Sequence, residues 1–164
     1  MNNIQIKQRL KELLVDYAVI LTYLVLLLIV NLVIMFLILK EIPQYTETQS
    51  QLVATFTSVI PIILLFSYLD YKGGSIGKRA AGLKLMYNQH KFSSAILRNI
   101  IKFLPWQLGH IGVIHGMYSG FDMTAIIVAN GGSLLGLVLL CMGLFRKDKR
   151  HLGDLLAGTK IEVQ

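Results

Sequence analysis

Three charged side chains stand where a long apolar run begins, and they are the residues best placed to do chemistry. Arg9, Glu12 and Asp16 are spaced three and four positions apart, so a helix places them on one stripe. Arg9 and Asp16 are separated by about 10.5 Å of helical rise, which is too far for an easy direct pair. An acidic side chain one or two turns into a membrane helix is costly unless it is paired, so Asp16 is a candidate ion or proton site. The alternative is a structural ion pair with a cation from another segment, such as Arg79, Arg98 or Arg150.

A second polar segment, Leu69 to Tyr87, lies between long apolar runs and is rich in glycine and basic residues. Its part from Gly73 to Lys78 has some likeness to a phosphate-binding loop. The spacing fails, because Lys72 stands where the first glycine belongs and Arg79 where Ser or Thr should follow the lysine. We therefore exclude nucleotide binding and expect the glycines to permit a tight turn and close backbone approach.

The histidines and the single cysteine give no support for catalysis. His110 and His115 are five positions apart, so they do not form the i,i+4 pair of a helical metal site. A proton relay through either one stays open beside simple packing, since histidine titrates near neutral pH. With Cys141 as the single cysteine, a disulfide framework is excluded. Its position in an apolar run predicts a small buried side chain. We expect no catalytic residues, no metal and no cofactor, and hence a protein that is not an enzyme.

The apolar runs that flank these residues are long enough to cross a lipid bilayer. Of the 164 residues, 54% are hydrophobic and only 15% are charged, whereas roughly a quarter are charged in soluble domains. A bilayer core needs about 20 apolar residues. We predict an all-α polytopic membrane protein forming one domain over residues 1–164. Its spans are predicted at about 13–39, 52–69, 104–122 and 124–145, with a cytoplasmic loop at 70–103 and a cytoplasmic tail at 146–164.

Several local patterns refine this architecture. Phe92 to Leu104 is amphipathic, which predicts a helix lying along the membrane interface before a bend at Pro105. Pro61 predicts a kink in the second span, with nearby hydroxyl groups covering the freed carbonyl. Leu83–Tyr87 and Thr159–Val163 both alternate in polarity, so we predict a short β-pairing that ties the tail to the loop.

The distribution of basic residues predicts orientation and partners. Nearly every Lys and Arg lies in the N-terminal segment, the central loop or the tail, so both termini are expected in the cytoplasm. The net charge of +7 favours contact with the bilayer and its anionic lipid headgroups rather than nucleic acid, since no reader motif accompanies it. Glycines four apart give smooth helix faces that could pack in a homo-oligomer; they are Gly112, Gly116, Gly120, Gly132 and Gly136.

These pieces together resemble the RDD family of small bacterial membrane proteins, named for one arginine and two aspartates. Arg9 and Asp16 match the first Arg and Asp, and Asp154 matches the second Asp. In the family a histidine often precedes that second aspartate, whereas Gly153 does so here and His151 is displaced. The other matching residues are Gly73, Ser75 (in place of the commoner Thr), Gly77, Lys78, Gly82, Arg98, Asn99, Pro105, Gly158 and Thr159.

The resemblance implies a multi-pass protein of the bacterial plasma membrane that transports ions, with cation/proton exchange as the first hypothesis. Arg9, Asp16 and Asp154 would form the ion or ion-pair site. Supporting roles would fall to Glu12, Gly73, Ser75, Gly77, Lys78, Arg79, Arg98, Gly158 and Thr159. The alternative is a non-transporting accessory that docks a partner or acts in envelope stress or immunity.

Overall fold

The computed structural model describes residues 4–164, and it is 75% helical with one two-stranded sheet. Helix α1 (Ile6–Val33) continues through a π-helical segment to Leu39, and helix α2 (Glu47–Ala54) continues through another to α3 (Ile60–Tyr71). The remaining elements are α4 (Ile76–Ala80), β1 (Leu83–Tyr87), α5 (Phe92–Ser119), α6 (Met123–Phe145), α7 (Leu152–Ala157) and β2 (Thr159–Val163).

Three of the helical stretches are long and apolar enough to cross a membrane: Ile6–Leu39, Glu47–Tyr71 and Met123–Phe145. They contain the predicted first, second and fourth spans. Helix α5 has 28 residues and is therefore about 42 Å long, enough to cross a bilayer. That α5 crosses the membrane over residues 104–122 stays a prediction.

Helix α5 differs from the prediction in two ways. It runs unbroken through Pro105, so Phe92–Leu104 is the first half of one long helix rather than a separate element. Its basic face is also buried, whereas an interfacial helix would turn that face toward water and headgroups: Arg98 is 1% exposed while Leu97 is 42% exposed. Arg98 therefore faces the other helices, and Leu97 faces outward.

The second span contains a π-helical segment, Thr55–Val59, shortly before Pro61. Proline lacks an N–H, so the carbonyl of Thr57 loses its helical partner. The hydroxyl of Tyr23, on α1, donates a hydrogen bond to that carbonyl. The prediction that a hydroxyl of the span itself covers this carbonyl is therefore wrong, because the hydroxyl comes from a neighbouring helix.

Glycines let α5 and α6 approach closely. A methyl group at Gly112 would lie 2.5 Å from the backbone nitrogen of Ala129, and one at Gly132 would lie 2.9 Å from the carbonyl oxygen of Pro105. Gly112 and Gly132 therefore face the opposite helix of the same chain. Cys141, on α6, is exposed rather than buried as predicted.

The predicted strand pairing is confirmed. β1 and β2 are antiparallel, with Leu83 opposite Val163 and Tyr87 opposite Thr159. Leu83, Leu85 and Ile161 are buried in a small apolar cluster that also contains Ile4 and Ala81. The tail is thereby fixed to the loop that follows α3, and it carries α7 against α5.

Candidate functional site: a buried charged cluster

A group of ionised side chains is buried where α1, α3, α4, α5 and α7 meet, and we call it the charged cluster. It contains four cations and four carboxylates, so its formal charges cancel. Its members are Arg9, Lys78, Arg98, Lys102, Glu12, Asp16, Asp70 and Asp154. Buried charges are tolerated only when they are paired and hydrogen-bonded, and every member here has an opposite charge within 4 Å.

The stripe at the start of α1 contributes the first pairs. Arg9 and Glu12 form an ion pair one turn apart, as their spacing predicts. Arg9 also donates from Nε to the carbonyl of Gly143 on α6, at 3.3 Å. The other oxygen of Glu12 lies 3.2 Å from Nζ of Lys78 on α4. Arg9 and Glu12 therefore connect α1 to α4 and to the end of α6.

Asp16 is held mainly by neutral donors from the glycine-rich loop. The hydroxyl of Ser75 and the backbone N–H of Gly77 each donate to it at 2.8 Å. Its cation partner is Lys102, with Nζ at 3.5 Å, and not one of the three arginines that we considered. The loop must come this close, because a methyl group at Gly77 would lie 2.2 Å from the carbonyl oxygen of Glu12. The expected close backbone approach is therefore confirmed at Gly77.

Asp70 is the centre of the cluster, although it is not among the predicted site residues. Its side chain is fully buried at the end of α3. Lys78 Nζ lies 3.1 Å from one carboxylate oxygen, while Arg98 and Asn99 donate to the other. The signal was available in the sequence, since Asp70 is an acidic residue at the end of an apolar run, where it must find a partner.

Arg98 bridges the centre of the cluster to the tail. Its Nη1 donates to Asp70 and its Nε donates to Asp154 at 2.6 Å. The same oxygen of Asp154 accepts from the hydroxyl of Thr159 at 2.9 Å. The guanidinium charge of Arg98 lowers the pKa of Asp154 despite the burial of that carboxyl. The tail is therefore joined to α5 by a charge-assisted contact.

His151 lies in the same contact although its position is displaced from the family pattern. Its Nδ1 accepts from the N–H of Gly153 at 3.0 Å, and its Nε2 lies 3.2 Å from a guanidinium nitrogen of Arg98 and 3.3 Å from Asp154. Burial lowers the pKa of His151 to about 3. The ring is therefore neutral at physiological pH, and it is the backbone N–H of His151 that donates to Asp154, at 3.2 Å.

Three of the predicted supporting residues act elsewhere. Arg79 is exposed and donates to the carbonyl of Lys72 at 3.3 Å, outside the cluster. Gly73 has φ +103° in the turn before α4, and Gly158 has φ +63° at the end of α7. Both glycines adopt a left-handed backbone that other residues disfavour, so their roles are conformational.

A second polar contact line runs along the other half of α5, against the second span. Gln107 donates to Thr55 at 3.0 Å, His110 contacts Ser58 at 3.2 Å, and His115 Nδ1 lies 2.8 Å from Glu47. Between this line and the charged cluster lies an apolar layer that contains Ile62, Phe66 and Phe103. Within residues 4–164, no group of three His, Cys, Asp or Glu side chains could hold a metal ion.

The sequence model of the RDD family matches residues 5–158. The chain belongs to the RDD family. No significant match to the chain was found among curated proteins or among solved structures.

The structure brings the three signature residues of this RDD-family protein into one cluster but does not pair them with one another. Arg9 pairs with Glu12, Asp16 with Lys102, and Asp154 with Arg98. The partner residues Lys102 and Asp70 were absent from our predicted site.

Proposed function

We propose that this RDD-family membrane protein is a transporter, or a subunit of one, that exchanges a cation for a proton at Asp16. The observation that carries the proposal is the unequal pairing within the charged cluster. Glu12, Asp70 and Asp154 each have a Lys or Arg nitrogen within 3.2 Å, whereas the nearest one to Asp16 is Lys102 at 3.5 Å. Asp16 is therefore the carboxylate whose charge the cluster neutralises least.

The surroundings of Asp16 suit exchange between a proton and a small cation. The hydroxyl oxygen of Ser75 lies 2.8 Å from the carboxylate, and hard cations prefer such oxygen ligands. Lys102 lines a cavity next to the cluster, so its ammonium has space to move away when a cation approaches. Displacement of Lys102 would release the carboxylate without disturbing the other three pairs.

A proton path toward the opposite end of the molecule would use the polar contact line of α5. His110 is a titratable side chain on that line, and it contacts the hydroxyl of Ser58. The apolar layer containing Phe66 and Phe103 separates His110 from the charged cluster. A transporter needs such a separation, because an unbroken polar path would let ions leak.

The deciding experiment compares Asp16→Asn with the wild-type protein in liposomes, by proton flux in response to Na⁺ or K⁺ gradients. If Asp16 is the exchange site, flux is lost while the melting temperature changes little. Asp148→Asn is the matched control, because Asp148 is an exposed carboxylate paired with Arg146 outside the cluster. Normal flux in Asp16→Asn, or equal loss in Asp148→Asn, would contradict the assignment.

A second function, a non-transporting accessory module, is favoured by the cancellation of charge in the cluster. None of its four carboxylates lacks a cation within 4 Å, as expected for groups that only hold helices together. In that case Asp16→Asn lowers the melting temperature and neither protein shows flux. We also propose, as the residue pattern predicts, that the protein is not an enzyme.

We propose further that the protein lies in a bacterial plasma membrane with both termini and residues 70–103 in the cytoplasm. Exposed positions allow a test by single-cysteine labelling in a Cys141→Ala background. Cysteines at Glu41 and Ser119 should react with an impermeant thiol reagent from outside, and cysteines at Gln89 and Lys160 should not. Labelling at Gln89 from outside would reverse the orientation.

A further inference from the structure

A cavity of about 430 Å³ lies between α1, α5 and α6, next to the charged cluster. One part of its wall is polar and contains Arg9, Glu12, Arg98, Lys102 and His151. The other part is apolar and includes Leu13, Leu139 and Leu140. The volume lies within the roughly 300–1,000 Å³ of small-molecule sites, and the divided wall suits an amphipathic ligand.

The polar part of the wall carries an excess of positive charge. Three cations line it, against the single carboxylate of Glu12. The carboxylates that neutralise Arg98 and Lys102 belong to Asp16, Asp70 and Asp154, which do not line the cavity. A group entering the cavity therefore meets more cations than anions, which favours an anionic headgroup.

Lys102 is the side chain best placed to bind that headgroup. Its ammonium lies 4.6 Å from the ring centre of Phe66 and 5.2 Å from that of Phe103, so it lies beside two aromatic rings at the edge of the cluster. Among the described residues its one ion pair is with Asp16, at 3.5 Å. An ammonium has three N–H donors, so Lys102 keeps donor capacity for a ligand in the cavity.

The two parts of the cavity follow the layers of a membrane. The polar part lies at the start of α1 and beside the basic segment that follows α6, where headgroups are expected. The apolar part runs between α1 and α6, which are two of the helices able to cross a bilayer. Leu140 is 41% exposed there, so the apolar part continues to the outer face of the helices.

We propose that this cavity binds one anionic phospholipid, with its phosphate at Lys102 and Arg9 and one acyl chain between α1 and α6. The cavity holds the headgroup and the first part of that chain, and the rest of the lipid stays in the bilayer. The inference stands on the cavity and its charges and does not depend on transport. It identifies a specific lipid site, in addition to general attraction of the basic surface to the membrane.

The test titrates the purified protein in neutral detergent with phosphatidylglycerol or phosphatidylcholine of identical chains, and counts bound lipid by native mass spectrometry. Phosphatidylglycerol should bind about tenfold more tightly than phosphatidylcholine, because it adds a net negative charge beside the cations. Lys102→Gln should remove about that tenfold preference. Lys11→Gln is the matched control, since Lys11 is an exposed lysine on α1 outside the cavity, and it should keep the preference.

A second variant tests the acyl chain separately. Leu140→Trp places a larger side chain at the apolar part and should weaken phosphatidylglycerol binding about tenfold, while Asp16 and Lys102 stay intact. Inorganic phosphate should not compete at equal concentration. Equal binding of the two lipids, an unchanged preference in Lys102→Gln, unchanged binding in Leu140→Trp, or full competition by inorganic phosphate would each overturn the proposal.

Discussion

Replacing Arg98 by lysine keeps the charge but removes the geometry that joins the tail to the rest of the protein. In the structure the guanidinium is 1% exposed, and it donates in two directions, to Asp70 and to Asp154. A lysine has one compact ammonium on a flexible chain, so it cannot occupy both positions. The Arg98→Lys protein therefore leaves one of the two buried carboxylates without this partner.

The loss of stability in Arg98→Lys depends on which of the two carboxylates loses its partner. Asp70 keeps Lys78 at 3.1 Å and the amide of Asn99, whereas Asp154 keeps only uncharged donors, the hydroxyl of Thr159 and the backbone N–H of His151. Removing one partner of a buried pair costs about 3–5 kcal/mol, and a hydrogen bond to a charged group contributes about 1.5–3 kcal/mol. We expect a loss of about 3 kcal/mol in the free energy of unfolding. At about 2–4 °C per kcal/mol for a chain of this size, the melting temperature should fall by about 6–12 °C.

Arg146→Lys is the control for this change. Arg146 also donates two hydrogen bonds to an aspartate, Asp148, at 3.0 and 2.9 Å, but its side chain is 40% exposed. Exposed pairs contribute about 0–1 kcal/mol, so this variant should melt within about 4 °C of the wild-type protein. The assay is thermal unfolding in detergent, followed by the intrinsic fluorescence of Trp106, the single tryptophan. Equal melting temperatures for the two variants would refute the bridging role of Arg98.

Three further predictions test other contacts. Gly77→Ala should lower the melting temperature by at least 5 °C, because its methyl group would lie 2.2 Å from a backbone oxygen of α1. Gly109→Ala is the control, since a methyl group there enters open space and should not lower the melting temperature. Equal effects of the two changes would contradict the close approach. Ending the chain after Gly158 removes β2 and the hydroxyl of Thr159, so protein abundance and melting temperature should both fall, and normal values for the truncated protein would rule out a stabilising role for the strand pairing. Because the pKa of His151 is lowered to about 3, the unfolded state binds a proton below pH 6.5 that the folded state does not, so stability should fall by about 2 kcal/mol from pH 7 to pH 5. His151→Asn keeps a capping side chain and should flatten the melting curve against pH over that range; an unchanged slope would contradict this assignment.

The sequence alone determined the class of the protein and much of its local structure. Apolar runs longer than a bilayer is thick can only be helices in a membrane, so the positions of the first, second and fourth spans followed from composition. Strict alternation of polarity identified β1 and β2, because a strand directs successive side chains to opposite faces. The stripe of Arg9, Glu12 and Asp16 followed from helical spacing in the same way.

Only the tertiary structure decided how the charges are paired. The partners of Asp16 are Ser75, 59 positions away in the chain, and Lys102 on another helix, and no local rule selects these over the arginines. Local reasoning also could not predict which face of α5 is buried, because Arg98 faces inward to pair with Asp70 and Asp154, and Lys102 faces inward to pair with Asp16. A charged side chain in a membrane protein is oriented by the position of its partner, and that position is a property of the packed helices.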